Sequence, residues 1–230
     1  MKHIAMVGVE LEGGWRGKAD GSNLFEDVDL GYDGSLFPPE GWSMEKDHYG
    51  EINSPPLQAE KAIEWLLQHY PDGTHPSCGF HIHTSFLNTQ DYHSLVSRRF
   101  YNHFLKRWDE WGNERQLSPT HPFWQRLEGK SVEGSGHNAA YAEREFRPYA
   151  QLLSDGKNDK RRRSHLNYCF RLHGTLECRL LPTFAEKELA ADALSFYLSM
   201  IEGYLDSLPP MEPKSITIIP GPRARGRRNS

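Results

Sequence analysis

Apolar residues recur at helical spacing in three stretches of the chain. From 186 to 208, Leu189, Ala193, Phe196, Tyr197, Met200, Ile201 and Tyr204 follow one another at spacings of one, three and four, which lays a greasy stripe along an α-helix. A second stripe, made by Leu95, Val96, Phe104, Leu105 and Trp108, predicts a helix over about 89–111, with Asn88 or Thr89 as its N-cap. A third helix is expected over about 57–70, behind Pro55 and Pro56, where prolines suit a helix start. Elsewhere the pattern alternates: 4–12, 50–54, 79–85, 165–172 and 175–181 read as strands, the last two forming a hairpin around His173 and Gly174. Helices and strands are interspersed without strict βαβ alternation. The expectation is therefore an α+β fold with a largely antiparallel sheet.

Length and composition narrow this picture. A chain of 230 residues suits one domain with a core that needs no disulfide or metal staple. We expect a single catalytic domain over 1–208, with a polar insertion or lid at about 112–160 and a basic, partly disordered tail at 209–230. No stretch approaches the roughly 20 apolar residues of a membrane span, and the opening MKHIAMVGVELEGG lacks the apolar run of a secretory signal, so a cytoplasmic location is expected. Three cysteines, Cys78, Cys169 and Cys178, form no CxxC and cannot all pair, which speaks against a disulfide framework or a thiolate zinc finger. The formal charge of −4 hides a segregation: two basic windows, 157–163 and 223–228, stand apart from an acid-rich body. Such windows could meet phosphates, and the body could attract cations, although a solvated surface would look the same.

What changes the picture most is a set of polar pairs two residues apart within strand candidates. Side chains at i and i+2 of a strand share a face. Glu10 and Glu12 alternate with Val7, Val9 and Leu11; His81 and His83 with Phe80 and Ile82; Glu177 and Arg179 with Leu176, Cys178 and Leu180. Glu51 and Asn53 form a fourth pair, with the acids Asp33, Glu45 and Asp47 shortly before them. Taken singly, each pair is most simply the wet face of a half-solvated sheet, or for Glu177 and Arg179 an ion pair. Gathered on one sheet, four glutamates and two histidines would repel, and something positive should sit among them. Carboxylates with an imidazole suit Mg²⁺ or Mn²⁺, while the two histidines alone leave zinc as a competing reading. Arg179, whose planar fork cannot shed its proton, reads as a phosphate or carboxylate clamp.

The order of these stretches, GVELEG, DGS at 33–35, GEINSPPL at 50–57, CGFHIHTS at 78–85, and RSHLN followed by GTLECRLLPTF within 163–184, resembles the amidoligase family. These are compact members of the glutamine synthetase and glutamate–cysteine ligase superfamily. The resemblance spans about 4–205. It implies a curved antiparallel sheet of glutamine synthetase type, with helices on its convex side and ATP and two or three Mg²⁺ or Mn²⁺ ions in its hollow. By the same resemblance Glu10, His81 and Glu177 are ligands of a phosphate-side metal, and Glu12 and Glu51 of a substrate-side metal. His83 and Arg163 become nucleotide- or phosphate-binding residues, and Arg179 steadies the transferred phosphoryl group. The implied activity is ATP-dependent joining of a small-molecule or peptide carboxylate to an amine through an acyl phosphate. Arg179 and Glu51 are then the candidate catalytic residues, an acid of the 33–51 region accepting the amine's proton. The segment 112–160 would close over the site and keep water from the intermediate.

Two other readings use the same residues. A metal-dependent nuclease or phosphoesterase also employs clustered acids, histidines and paired metals, with the basic windows gripping a nucleic acid backbone. A catalytically inactive module tethered to nucleic acid by its tail is the third, although it would bury charges without a ligand to compensate them.

Overall fold

The structure, a computed structural model, describes residues 1–16, 28, 30–31, 36, 38, 41–42, 48–131, 143–146 and 163–209, with Arg171 and Leu172 described by backbone alone. Asp33, Glu45, Asp47, most of the expected insertion and nearly all of the basic tail lie outside these residues.

Six strands form one antiparallel sheet: β1 (Ile4–Gly14), β2 (Leu30–Gly31), β3 (Tyr49–Asn53), β4 (Gly79–Phe86), β5 (Leu166–Cys169) and β6 (Thr175–Pro182). Their order is β2-β3-β1-β4-β6-β5, so β3, β1, β4 and β6 are central strands paired on both sides. The helices are α1 (Ala59–Gln68), α2 (Thr89–Leu95), α3 (Arg98–Glu114), α4 (Pro122–Leu127) and α5 (Lys187–Asp206), and a single helical turn at Phe170–His173 links β5 to β6. None of the described helices is long and apolar enough to cross a membrane.

Alternation puts one face of the sheet into the core. Val7, Val9, Leu11, Ile52, Phe80, Ile82, Leu176, Cys178 and Leu180 are all buried there. They share one apolar cluster with Ala62 and Leu66 of α1, Phe104 and Trp108 of α3, Phe123 of α4, and Leu194, Tyr197 and Ile201 of α5. The result is a layer of helices against one side of an antiparallel sheet, the α+β class the sequence predicts. Burying this much hydrocarbon on one face leaves the other face for chemistry.

The structure corrects four details. The helix expected over about 89–111 is two helices, because Val96 leaves helical geometry and Ser97 caps α3 by accepting the Phe100 N–H at 3.1 Å. Asn88, not Thr89, is the N-cap of α2, accepting the Asp91 N–H at 2.8 Å. The strand expected over 165–172 stops at Cys169, and the hairpin closes through Phe170–His173 and Gly174, whose φ of 68° suits a residue without Cβ. Residues 112–131, expected to begin an insertion, are part of the body: they finish α3 and form α4, with Phe123 and Leu127 buried in the main core.

The core face gives a test of this layering. Ile82→Ala should cost about 2–5 kcal/mol, read as a lower urea midpoint with unchanged slope. Leu87→Ala, at a side chain 63% exposed, should stay within about 0.5 kcal/mol.

Candidate metal centre

Register carries the polar pairs of neighbouring strands into contact. Glu10 of β1 faces Asn53 of β3 on one side and His81 of β4 on the other, and Glu12 faces Glu51. His83 faces Glu177 of β6, and Glu177 faces Asn167 of β5. Gly8, opposite His83, leaves room where a side chain would otherwise stand on this face. Between Phe80↔Leu181 and Ile82↔Cys178 the β4–β6 pairing shifts, with one more residue on β6 than on β4. Arg179 lies in that bulge, and bulges commonly re-aim a side chain. Its backbone N–H donates to the His165 carbonyl at 2.9 Å, so the irregular stretch is still held to the strand beside it.

The side chains meet at the centre of the sheet. His81 Nδ1 is hydrogen-bonded to Glu10 Oε1 and lies 3.8 Å from Glu177 Oε1. His83 Nε2 lies 3.7 Å from Glu10 Oε2 and 3.9 Å from Glu177 Oε1. Arg179 Nη1 donates to Glu177 Oε1, while Asn167 Nδ2 donates to Glu177 Oε2 at 2.5 Å. Among the described residues, the buried Arg179 Nε has no hydrogen-bond partner. Two donor sets of the expected residues emerge, Glu10–His81–Glu177 and Glu10–Glu12–Glu51, the donor atoms of each lying within 4.8 Å of one another.

Electrostatics divides the site in two. Burial would raise the Glu177 pKa, but Arg179, His83 and His81 outweigh it and hold the carboxyl at about 2. Glu10 also sits well below the ordinary carboxylate range: burial is overcome by the charge and hydrogen bond of His81, with His83 and Arg179 adding to the effect. His83 is raised, because Glu177 and Glu10 outweigh its burial, whereas burial and Arg179 lower His81. Glu12 behaves in the opposite way. Burial and the neighbouring charge of Glu10 push its pKa up to about 8, despite the opposing effects of Arg126 and a hydrogen bond from the Gly79 N–H. One end of the site is thus compensated by protein cations, and the other carries a carboxyl that lacks sufficient positive charge.

The other sequence-predicted residues fare differently. Glu51 joins the second set, with Oε1 accepting from Asn53 Nδ2 at 2.6 Å. Arg163 lies three residues ahead of β5, next to the Glu143↔Ser164 bridge. Sequence reasoning passed over Asn167 and Cys169, although they alternate with the buried Leu166 and Tyr168 by the same period of two. It also passed over Arg126 of α4, a residue 1% exposed whose guanidinium donates to the Cys78 carbonyl at 2.8 Å and the Ser77 carbonyl at 3.3 Å. Only its place among Phe123 and Leu127 on a short amphipathic helix could have marked it as buried. Comparison with family models, curated proteins and solved structures returned no match.

Glu12 gives a pH test in the metal-free protein. A carboxyl whose pKa is raised from 4.5 to about 8 on folding stays protonated in the folded state while the unfolded chain ionises. Its contribution to stability is therefore present below pH 4.5, declines as pH rises from there to about 8, and is flat beyond. In chelator, Glu12→Gln should remove that decline and make the protein more stable than the parent near pH 8, measured by urea unfolding across pH. An unchanged pH profile would show that Glu12 is not the group responsible.

Proposed function

We propose that the chain is an ATP-dependent carboxylate–amine ligase that forms an amide bond through an acyl phosphate, within a fold of glutamine synthetase type. The observation that carries this reading is the meeting of Glu10, His81, Glu177 and Arg179 on one sheet face, beside a second set containing Glu12 and Glu51. The donors fit hard divalent cations: four carboxylates and one imidazole match Mg²⁺ or Mn²⁺ better than softer ions. The raised pKa of Glu12 supports the same fit, since a nearby cation would return that carboxyl to its ionised form. Glu10, His81 and Glu177 would hold the phosphate-side ion, and Glu10, Glu12 and Glu51 the substrate-side ion. When bound, such ions neutralise polyphosphate oxygens and the charge that develops during phosphoryl transfer.

The chain's own residues have distinct tasks in this reading. A carboxylate resists amide formation because it is a poor electrophile; attack of its oxygen on the γ-phosphorus of ATP, with ADP departing, makes an acyl phosphate, and the amine then displaces phosphate from it. Arg179 supplies a permanent cation, fixed by its ion pair with Glu177, whose buried Nε–H is directed to an oxygen of the transferred group or its acceptor. His83 serves the nucleotide side of the same patch. Glu51, less buried than Glu12, accepts the proton that the attacking amine loses before phosphate departs. Little covalent chemistry is asked of the protein; position and charge do most of it.

The reading is tested by incubating the purified chain with ATP, Mg²⁺ or Mn²⁺ and panels of carboxylates and amines, with ADP release and product mass measured. Glu10→Gln and Glu177→Gln should abolish ADP release with circular dichroism unchanged, and Arg179→Lys should lose at least about a hundredfold in kcat. Undiminished ATP consumption in both glutamate variants would overturn the assignment. Metal-dependent polynucleotide cleavage without ATP would transfer the site to phosphoester hydrolysis.

A further inference from the structure

We infer that Cys169, His83 and Glu177 form a second, overlapping, thiolate-containing site for a zinc-class ion at the β5–β6 edge of the polar face. Their donor atoms lie within 4.8 Å of one another. Cys169 Sγ is 3.3 Å from Glu177 Oε2, and His83 Nε2 is 3.9 Å from Glu177 Oε1. Tetrahedral zinc, with bonds of about 2.0–2.3 Å to N, O and S, places its donors about 3.4–3.6 Å apart; the thiol and the imidazole each lie within about half an ångström of that from one of the two Glu177 oxygens, and a small rotation of the carboxylate and the thiol would complete the set.

The surroundings are suited to such an ion. His83 Nδ1 is hydrogen-bonded to Thr175 Oγ1 at 3.2 Å, an arrangement that orients the ring and leaves the Nε2 lone pair for the ion. Asn167 Nδ2 holds Glu177 Oε2 at 2.5 Å, fixing the carboxylate between the thiol and the imidazole. Cys169 forms no disulfide, and of the three cysteines it is the one on the polar face: Cys178 belongs to the main core, and Cys78 packs with Leu36 and Tyr49. A thiolate donor favours Zn²⁺, Co²⁺ or Cd²⁺ over Mg²⁺, and three protein ligands leave the fourth position to water or an exchanging molecule. On binding, the thiol proton leaves to solvent and sulfur donates its electron pair to the ion.

Glu177 is shared with the Glu10–His81–Glu177 set. An ion held by Cys169 therefore withdraws a carboxylate from the neighbouring set, and zinc-class ions become antagonists of whatever hard ion occupies it. The site itself does not depend on the ligase reading, and its test uses no ATP.

Co²⁺ is the probe. Titrated into the full chain under reducing conditions, it should produce an intense near-ultraviolet thiolate-to-cobalt charge-transfer band that Zn²⁺ bleaches. The band should vanish in Cys169→Ser, persist in Cys78→Ser, and appear with about tenfold weaker Co²⁺ affinity in Thr175→Val. A second measurement on the unaltered chain guards against a misfolded variant: Zn²⁺ should slow alkylation of Cys169 several-fold by peptide mass mapping. Absence of the band in the parent, its survival in Cys169→Ser, or alkylation of Cys169 at an unchanged rate would overturn the inference.

Discussion

The pairing register of β1 with β4, and of β4 with β6, is the constraint on which the rest of the structure depends. Because side chains alternate with a period of two, a one-residue slip in any of these strands would send its glutamates or histidines into the helix-covered core and its valines or leucines onto the polar face. Burying an ionised carboxylate such as Glu177 among Leu194 and Tyr197 would cost far more than any gain from a new pairing. The hydrophobic layer and the charged layer thus specify the same register from opposite sides. That agreement lets β3, β1, β4 and β6, the four strands paired on both sides, carry the site.

Within the charged layer, compensation is uneven, and the unevenness has chemical content. Glu10 and Glu177 stay ionised because Arg179 and two imidazoles stand beside them, so this end holds negative charge ready for a cation while keeping one fixed positive group. Glu12 lies nearer to Arg126 and the Gly79 amide, yet these do not offset its burial beside Glu10. On a face with ionised carboxylates at one end and a proton-holding carboxyl at the other, an added cation would change the balance of charge at both ends. The bulge at Arg179 matters for the same reason: it places a guanidinium that cannot deprotonate against carboxylates grouped closely enough to hold a metal ion.

The backing of the site is as specific as its front. Thr183 Oγ1 bonds the carbonyls of both Glu12 and Gly79, at 2.9 and 2.8 Å, tying β1 to the start of β4 where the Glu12 carboxyl receives its amide. Arg126 holds the two carbonyls just before that point, and its own carbonyl accepts from His165 Nε2 at 2.6 Å. A helix that belongs to the apolar core therefore also locks the segment whose Gly79 amide donates to Glu12. At Gly79 even a methyl group would stand 2.6 Å from His81 Nε2 and 3.0 Å from Glu12 Oε2, so glycine is required by close approach and not by backbone conformation.

Local periodicity alone settled that Glu10 and Glu12, His81 and His83, and Glu177 and Arg179 share faces of strands, because alternation is a property of the extended chain. It also settled the helical stripes of α1, α3 and α5, each carrying enough apolar residues to announce itself. Apart from the β5–β6 hairpin it did not settle which strands adjoin, and it left that hairpin's register open, so the meeting of Glu10 with His81, of Glu177 with Asn167, and of Cys169 with His83 became visible only once hydrogen-bonded pairing was known. Nor did it reveal the break at Val96, where a serine cap competes with a continuous apolar stripe, or the burial of Arg126, whose charge reads as surface until carbonyls from another part of the chain are seen to receive it. Sequence determines a residue's face through rotation about its own backbone. Tertiary structure decides its neighbours, since these are set by pairings between segments far apart in the chain, as in Glu12 and Thr183, 171 residues apart.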